Sequence, residues 1–346
     1  MPSDDATHLL PWSALDAPSI ARFADPAQDL FASHLWFDTL ARAATPAGLV
    51  AGCVVIGQRT AIVPVWCTEA TRGLRIQTGQ SSPYSLDFAP IVTGDPEQAG
   101  RCFAGLARKN PVVRLDALDE RNPAVAPFLA GCRRGGLRIQ RFAHFGDWSA
   151  PVATDDFARW LASRPGSLRS TVTRKLKRAR AATAFRLFDA DDLETGIAAF
   201  EQVYAKSWKQ PEPFPSFNGT CMRALAGAGL LRLGVLADRA GPIAAQYWAV
   251  SGGRAMLLKL AHDEAQTALS PGTVLTAQML AAILEYDRPS LLDFGRGDDP
   301  YKRLWVDQRH ERQGALLINP RHPRGLIALA RGAAGALRRR FRQGRS

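Results

Sequence analysis

Met256-Leu-Leu-Lys-Leu260, then Ser270-Pro-Gly-Thr273, then Leu291-Leu-Asp-Phe294, and finally Asp293-Phe-Gly-Arg-Gly-Asp-Asp-Pro-Tyr-Lys302: these segments of the stretch from Met256 to Trp305 decide the fold. The first is short and apolar apart from Lys259, which suits a strand buried in a sheet. Ser270 reads as an N-cap, Pro271 suits the first helical position, and Gly272 leaves the helix terminus uncovered. Val274, Leu275, Met279 and Ile283 recur at helical spacing, so the helix runs to about Tyr286. Pro289 marks a turn, and Leu291 to Phe294 returns as a strand. Strand, crossover helix and strand make a unit whose polar groups gather at the strand ends, where open sheets bind ligands. Backbone N–H groups beside a glycine at a helix start can receive a phosphate closely, so the unit implies a phosphate-bearing ligand with a second polar site beside it.

Outward from this unit, the second half reads as helix, antiparallel strands, crossover helix and strand. Phe185 to Phe188, Leu230 to Leu236, Ile243 to Val250 and Ala255 to Leu260 are strands, and Leu193 to Trp208 is a long helix. Ala315 to Ile318 is expected to close that sheet. The first half reads as a reduced version of the same plan. Leu49 to Ile56 and Arg59 to Trp66 form a hairpin about Gly57, followed by short strands, a helix over Arg101 to Arg108, a strand over Val112 to Leu118, a helix over Asn122 to Cys132 and a strand over Leu137 to Phe145. Trp36 is expected in the core. The loop holding Ser81, Ser82, Tyr84 and Asp87 reads as a surface turn or as part of a substrate mouth.

Between the halves, Arg169 to Arg180 carries six bases and no acid. As a helix it puts Arg174, Lys177 and Arg178 on one face, able to act together on a polyanion; the other reading is a solvated linker helix. The divisions expected are 1–150, a basic linker at 151–183, 184–320, and a basic amphipathic tail at 321–346. In that tail Leu326, Ile327, Leu329, Ala330, Ala333, Leu337 and Phe341 can line an apolar face, which would suit an anionic membrane surface or loose nucleic-acid binding.

The totals exclude several classes. A chain of 346 residues can bury full cores, and 46% apolar with 22% charged content is ordinary for a globular protein. The net charge of +12 owes much to the tail, where eight arginines and no acid fall in the last 26 residues. Five scattered cysteines without a paired spacing fit reduced thiols rather than a disulfide framework or a zinc site. No run is long enough to span a membrane and the acidic start is unlike a secretory signal, so the cytosol is the expected compartment. Walker and dinucleotide glycine motifs are absent, and Asp293, Asp298 and Asp299 lack the partners of a specific metal site.

Arg174 to Arg178, Tyr204 to Trp208, Gly241-Pro-Ile-Ala-Ala245, Ser270-Pro-Gly272 and Asp293 to Asp298 followed by Tyr301, Lys302 and Trp305 together resemble the bacterial acetyltransferases of cellulose biosynthesis. These are members of the GNAT superfamily close to the FemAB-like peptidyltransferases. The resemblance covers roughly residues 28–318 and implies an α/β, GNAT-like fold, with two tandem GNAT-like domains whose sheets are mixed and largely antiparallel. The domain at 1–150 would be degenerate and the second would be catalytic.

The resemblance implies acetyl-CoA or another acyl-CoA as co-substrate, with no tightly bound cofactor. It puts the strand at 255–260 splaying from its neighbour, and Ser270, Gly272, Thr273, Arg296 and Lys302 against the donor. Arg174, Arg178, Trp208, Gln246 and Lys259 fall on the acceptor side. The phosphate loop departs from the usual glycine-rich signature, retaining only Ser270-Pro-Gly272 after Asp263 to Ala268. Asp293 or Asp298 is expected to accept the amine proton, and Tyr301 to stabilise the oxyanion or protonate the departing thiolate. The reading is N-acylation of an amino sugar, peptide or envelope-precursor amine. The alternatives are aminoacyl transfer from charged tRNA, which would engage Arg174 to Arg180, and a non-catalytic binding module of polysaccharide export. Peripheral contact with the inner membrane through the tail is a further expectation.

Overall fold

The structure, a computed structural model, describes residues 6–57, 60–71 and 73–332. In chain order it contains β1 (Thr7–Pro11), α1 (Ala17–Ile20), α2 (His34–Ala43), β2 (Val50–Ile56), β3 (Ala61–Ala70), β4 (Gly73–Gly79), β5 (Ile91–Val92), α3 (Pro96–Ala107), β6 (Val112–Leu118), α4 (Val125–Arg134) and β7 (Arg138–Pro151). Then come α5 (Phe157–Ala162), α6 (Gly166–Ala179), β8 (Ala184–Phe188), α7 (Leu193–Ala205), α8 (Phe217–Gly227), β9 (Leu231–Asp238), β10 (Gly241–Ser251), β11 (Arg254–His262), α9 (Pro271–Asp287), β12 (Leu291–Arg296), α10 (Pro300–Trp305) and β13 (Gln308–Ile318). A 3-10 segment, Glu264–Leu269, precedes α9. Two compact units divide the chain: 1–25, 31–145 and 311–346 form the first, and 26–30 with 146–310 the second.

In the first unit β1 to β4 form an antiparallel meander, α3 crosses, and β6 joins β4 in parallel at Thr78 and Arg114. In the second, β8 to β11 form the meander, α9 crosses, and β12 joins β11 in parallel. Even the backbone twist repeats. Ala117 in β6 (φ 59°) and Gly295 in β12 (φ 69°) both take the left-handed conformation. Each unit is thus an α/β layer with a mixed sheet, and the two share one plan.

Several expectations need correction. β13 does not close the second sheet: residues 311–346 belong to the first unit, where β13 pairs antiparallel with β6 and lies between β6 and β7. Its fully buried Arg312 anchors it there, donating to the Leu86 carbonyl (3.0 Å) and pairing with Asp87 (3.0 Å) and Asp119. That pair, with the hydrogen bonds from Ser82 N to Ser85 Oγ and from Tyr84 N to Ser82 Oγ, makes the 81–87 loop a self-bonded turn. Helix α8 was not anticipated, and α7 stops at Ala205. Ala333, Leu337 and Phe341 of the expected tail face lie outside the described residues.

The core of the second unit explains α6 and α9. Helix α9 is apolar all round, with ten buried residues, because β9 to β11 cover one side and α6 the other. Helix α6 contributes Leu168, Val172 and Ala179 to that core while Arg174, Lys177 and Arg178 stay exposed. It is therefore a packed amphipathic element rather than a solvated linker. Trp36 and Trp305 are core residues, 1% and 0% exposed. None of the five cysteines is in a disulfide, four of them are buried, and burial pushes the thiols of Cys53, Cys67, Cys132 and Cys221 upward. Among the described residues no helix is long and apolar enough to cross a membrane.

Candidate active site

The site begins where two strands part. β11 pairs with β12 only at Arg254/Leu291, Ala255/Leu292 and Met256/Asp293. Beyond that point β11 continues to His262 along β10, and β12 continues to Arg296, without further pairing between them. The bend has a local cause. Asp293, 1% exposed, accepts a hydrogen bond from the backbone N–H of Gly295 at 2.6 Å, so its side chain folds back onto its own strand. Its other oxygen takes Arg254 of β11 at 2.5 and 3.0 Å. One carboxylate thus ties β11 to β12 and turns β12 away, while the register against β7 slips between Asp293 and Arg296.

Helix α10 follows the bend. Asp299 caps it by accepting from Tyr301 N (2.8 Å), and Pro300 takes the first position. That cap aims Tyr301 and Lys302 back at the parting strands. The Tyr301 hydroxyl lies 2.9 Å from Thr276 Oγ1 and 3.3 Å from the Gly272 carbonyl, so α10 is tied to the first turns of α9. Gln246 Nε2 donates to the same Thr276 hydroxyl (3.5 Å), and Trp248 Nε1 donates to Gln246 Oε1 (3.0 Å). Burial pushes the Tyr301 phenol well above its ordinary value, so it holds its proton at neutral pH. Lys302 Nζ donates to the carbonyls of Gly295 (3.0 Å) and Arg296 (2.5 Å). Burial pushes this ammonium down to about 8, against the opposing pull of Asp293 and Asp299.

Basic and aromatic groups gather around the far end of β11. Trp208 is 45% exposed and lies against His262, ring centroids 4.4 Å apart, with Lys209 Nζ 5.2 Å from the indole. Burial, then the charge of Lys259, pushes Lys209 down, and burial does the same to His262. Lys259 pairs with Glu212 (2.6 Å), which also accepts from the Tyr204 hydroxyl (2.5 Å). Sequence reading missed Lys209, Glu212, Arg254 and Thr276. Glu212 stands between two prolines in an irregular loop and the others sit at unremarkable positions, so only pairing reveals them.

The structure brings together Asp293, Tyr301, Lys302, Gly272 and Thr276, and reassigns other expected residues. Ser270 is not a side-chain N-cap: it is left-handed (φ 51°, ψ 53°) and makes no capping bond. It also ends the 3-10 segment, and Pro271 disfavours a right-handed helical residue before it, so the chain turns there. Gly272 is buried rather than uncovered; a Cβ on it would lie 3.5 Å from His262 Nδ1. Thr273 remains half-buried at the terminus, and Arg296 is exposed at the end of β12. Asp298 is ill-suited to act as a base. Arg309 (2.6 and 2.8 Å) and Trp148 Nε1 (2.9 Å) clasp it and hold its carboxyl far below the usual range. Gln246 is fully buried, its amide bonded to Thr276 and Trp248, and Lys259 is paired with Glu212.

Comparison with known proteins agrees with this geometry. Residues 166–303 match the acetyltransferase (GNAT) domain family, a span that begins with α6 and ends within α10. No curated protein matches the sequence. Among solved structures, FemX is similar at a TM-score of 0.57 and 12% identity, covering 91% of this chain and 98% of its own. The C-terminal domain assigned to a lysylphosphatidylglycerol synthetase of Agrobacterium fabrum gives 0.53 at 12%, covering 90% and 95%. A tandem GNAT protein from the clavulanic acid biosynthesis pathway gives 0.50 at 13%, covering 92% and 100%. At such identities the likeness is one of fold. The chain carries a GNAT-type acyltransferase domain on a tandem GNAT-like architecture.

Proposed function

We propose that this chain, an acyltransferase with its GNAT domain at residues 166–303, transfers an acyl group from acyl-CoA directly to an amine. Acetyl-CoA is the simplest donor. The observation that carries this reading is the parting of β11 from β12 after Met256 and Asp293. A strand edge released from its neighbour presents backbone donors and acceptors to the gap, where a thioester can lie alongside β11 with its carbonyl held by N–H groups. The donor's phosphates fall beside Ser270 and Thr273 at the start of α9, with Arg296 and Lys302 supplying positive charge.

In the transfer, the amine nitrogen attacks the thioester carbon, the C–N bond forms, and the C–S bond breaks. Tyr301, kept protonated by burial and oriented by Thr276, gives its proton to the departing thiolate and regains one from water. The amine proton leaves to water, because Asp298 is clasped and both Asp293 oxygens are engaged. Asp293 instead sets the geometry of the gap. Trp208, Arg174 and Arg178 are the remaining acceptor-side candidates. The resemblance to acetyltransferases of cellulose biosynthesis puts an amino sugar or another polysaccharide or envelope precursor first among acceptors, and the cytoplasm, where acyl-CoA is made, as the place of reaction.

Aminoacyl transfer from charged tRNA is the second reading, favoured by the exposed Arg174, Lys177 and Arg178 on α6 and by the fold shared with FemX and the lysylphosphatidylglycerol synthetase domain. Native mass spectrometry with a panel of acyl-CoA species separates the two. One retained acyl-CoA, transferred to an amine, is expected. Retention of none, together with tRNA binding that falls when those three bases are neutralised, would replace the first reading with the second.

A further inference from the structure

A second surface, in the first unit, lies outside the proposed acyltransferase site. Residues 323–332 are helical. Gly325 and Gly332 are seven residues apart, about two turns, and so share one face. That face, which also carries the half-buried Leu329, lies against the body of the unit. A Cβ on Gly325 would collide with the Asn319 carbonyl, and one on Gly332 with the side-chain amide of Gln140. Packing of this face through Gly325, Leu329 and Gly332 leaves Leu326 and Ile327 pointing outward. Leu326 is 55% exposed and Ile327 is 52% exposed, with Ala330 beside them. Arg324 and Arg331 flank this patch, both exposed. Between Glu311 and Gly332 there is no acid, and Arg321 stands just before the helix.

We infer that this face docks on an anionic lipid surface. Exposed aliphatic side chains gain by entering the acyl boundary, while arginines at their edge meet anionic headgroups. A nucleic acid would answer the arginines but offers little to a leucine–isoleucine pair, since its bases are gripped by aromatic rings. The inward glycines let the helix lie close to the unit while Leu326 and Ile327 face out.

Co-sedimentation of the full chain with vesicles tests it. Vesicles of phosphatidylcholine containing about 30% phosphatidylglycerol should capture the protein, pure phosphatidylcholine should not, and about 0.5 M salt should release it. Leu326→Ser with Ile327→Ser should weaken capture at least tenfold while leaving the circular-dichroism melt unchanged. Equal capture by both vesicle types, undiminished capture of the double variant, or retention on RNA but not on vesicles would overturn the inference.

Discussion

Lys302 is a half-buried cation whose nearest acceptors are backbone carbonyls, and its environment makes it sensitive to pH. Its folded pKa of about 8 lies below the ordinary 10.5, so the native state holds this proton less tightly than the unfolded chain. Between those values unfolding takes up a proton, and this group's contribution makes stability rise as pH climbs from about 8 to 10.5. Denaturant titrations at several pH values should show that rise in the native protein and a smaller one in Lys302→Met. If the ammonium holds donor phosphate, the donor KM should rise above pH 8, and Lys302→Arg should move that rise upward. Tyr301→Phe should lower kcat by about 10²-fold with little change in donor KM, measured in steady-state assays. Asp293→Ala should cost about 3 kcal/mol of stability by denaturant titration, because it strands Arg254 in a largely buried position. Asp293, Tyr301 and Lys302 could be picked out in the sequence because dissimilar polar groups follow a buried strand. Their roles could not: Asp293 looks like a base until Arg254 and Gly295 are seen to occupy it.

Among the elements, α9 and β11 were legible from apolar spacing and from the proline at 271. Helix α8 was not. It opens with Phe217, Asn218, Gly219 and Thr220, weak helix formers after a proline-rich loop, and it is held by burial of Phe217, Cys221, Met222 and Leu225. Tertiary packing supplies what local propensity lacks there. The start of α9 gives an element-scale prediction. A Cβ at Gly272 makes only ordinary contact with His262, so Gly272→Ala should keep the fold and add about 0.5–1 kcal/mol to stability. Thermal melts check that part. The same methyl should raise the donor KM if phosphate approaches the backbone there; an unchanged KM would move the phosphate off the α9 terminus.

At the scale of the whole molecule, the repeated plan could be read from the sequence but the path of the last strand could not. Ala315 to Ile318 follows the second half in sequence, yet β13 inserts between β6 and β7 of the first unit. Nothing in an apolar run states which edge it will pair with; the deciding contact is Arg312, whose partners lie some two hundred residues away. A fragment ending at residue 150 therefore lacks a central strand and should show no cooperative unfolding by circular dichroism. A sharp transition in that fragment would contradict the unit as described.

Amide hydrogen exchange, followed with and without acetyl-CoA, tests the donor gap most directly. Slowed exchange concentrated in residues 257–262 of β11 and 270–274 at the start of α9 is the expected result. Binding that leaves both segments unchanged while protecting another region would contradict it.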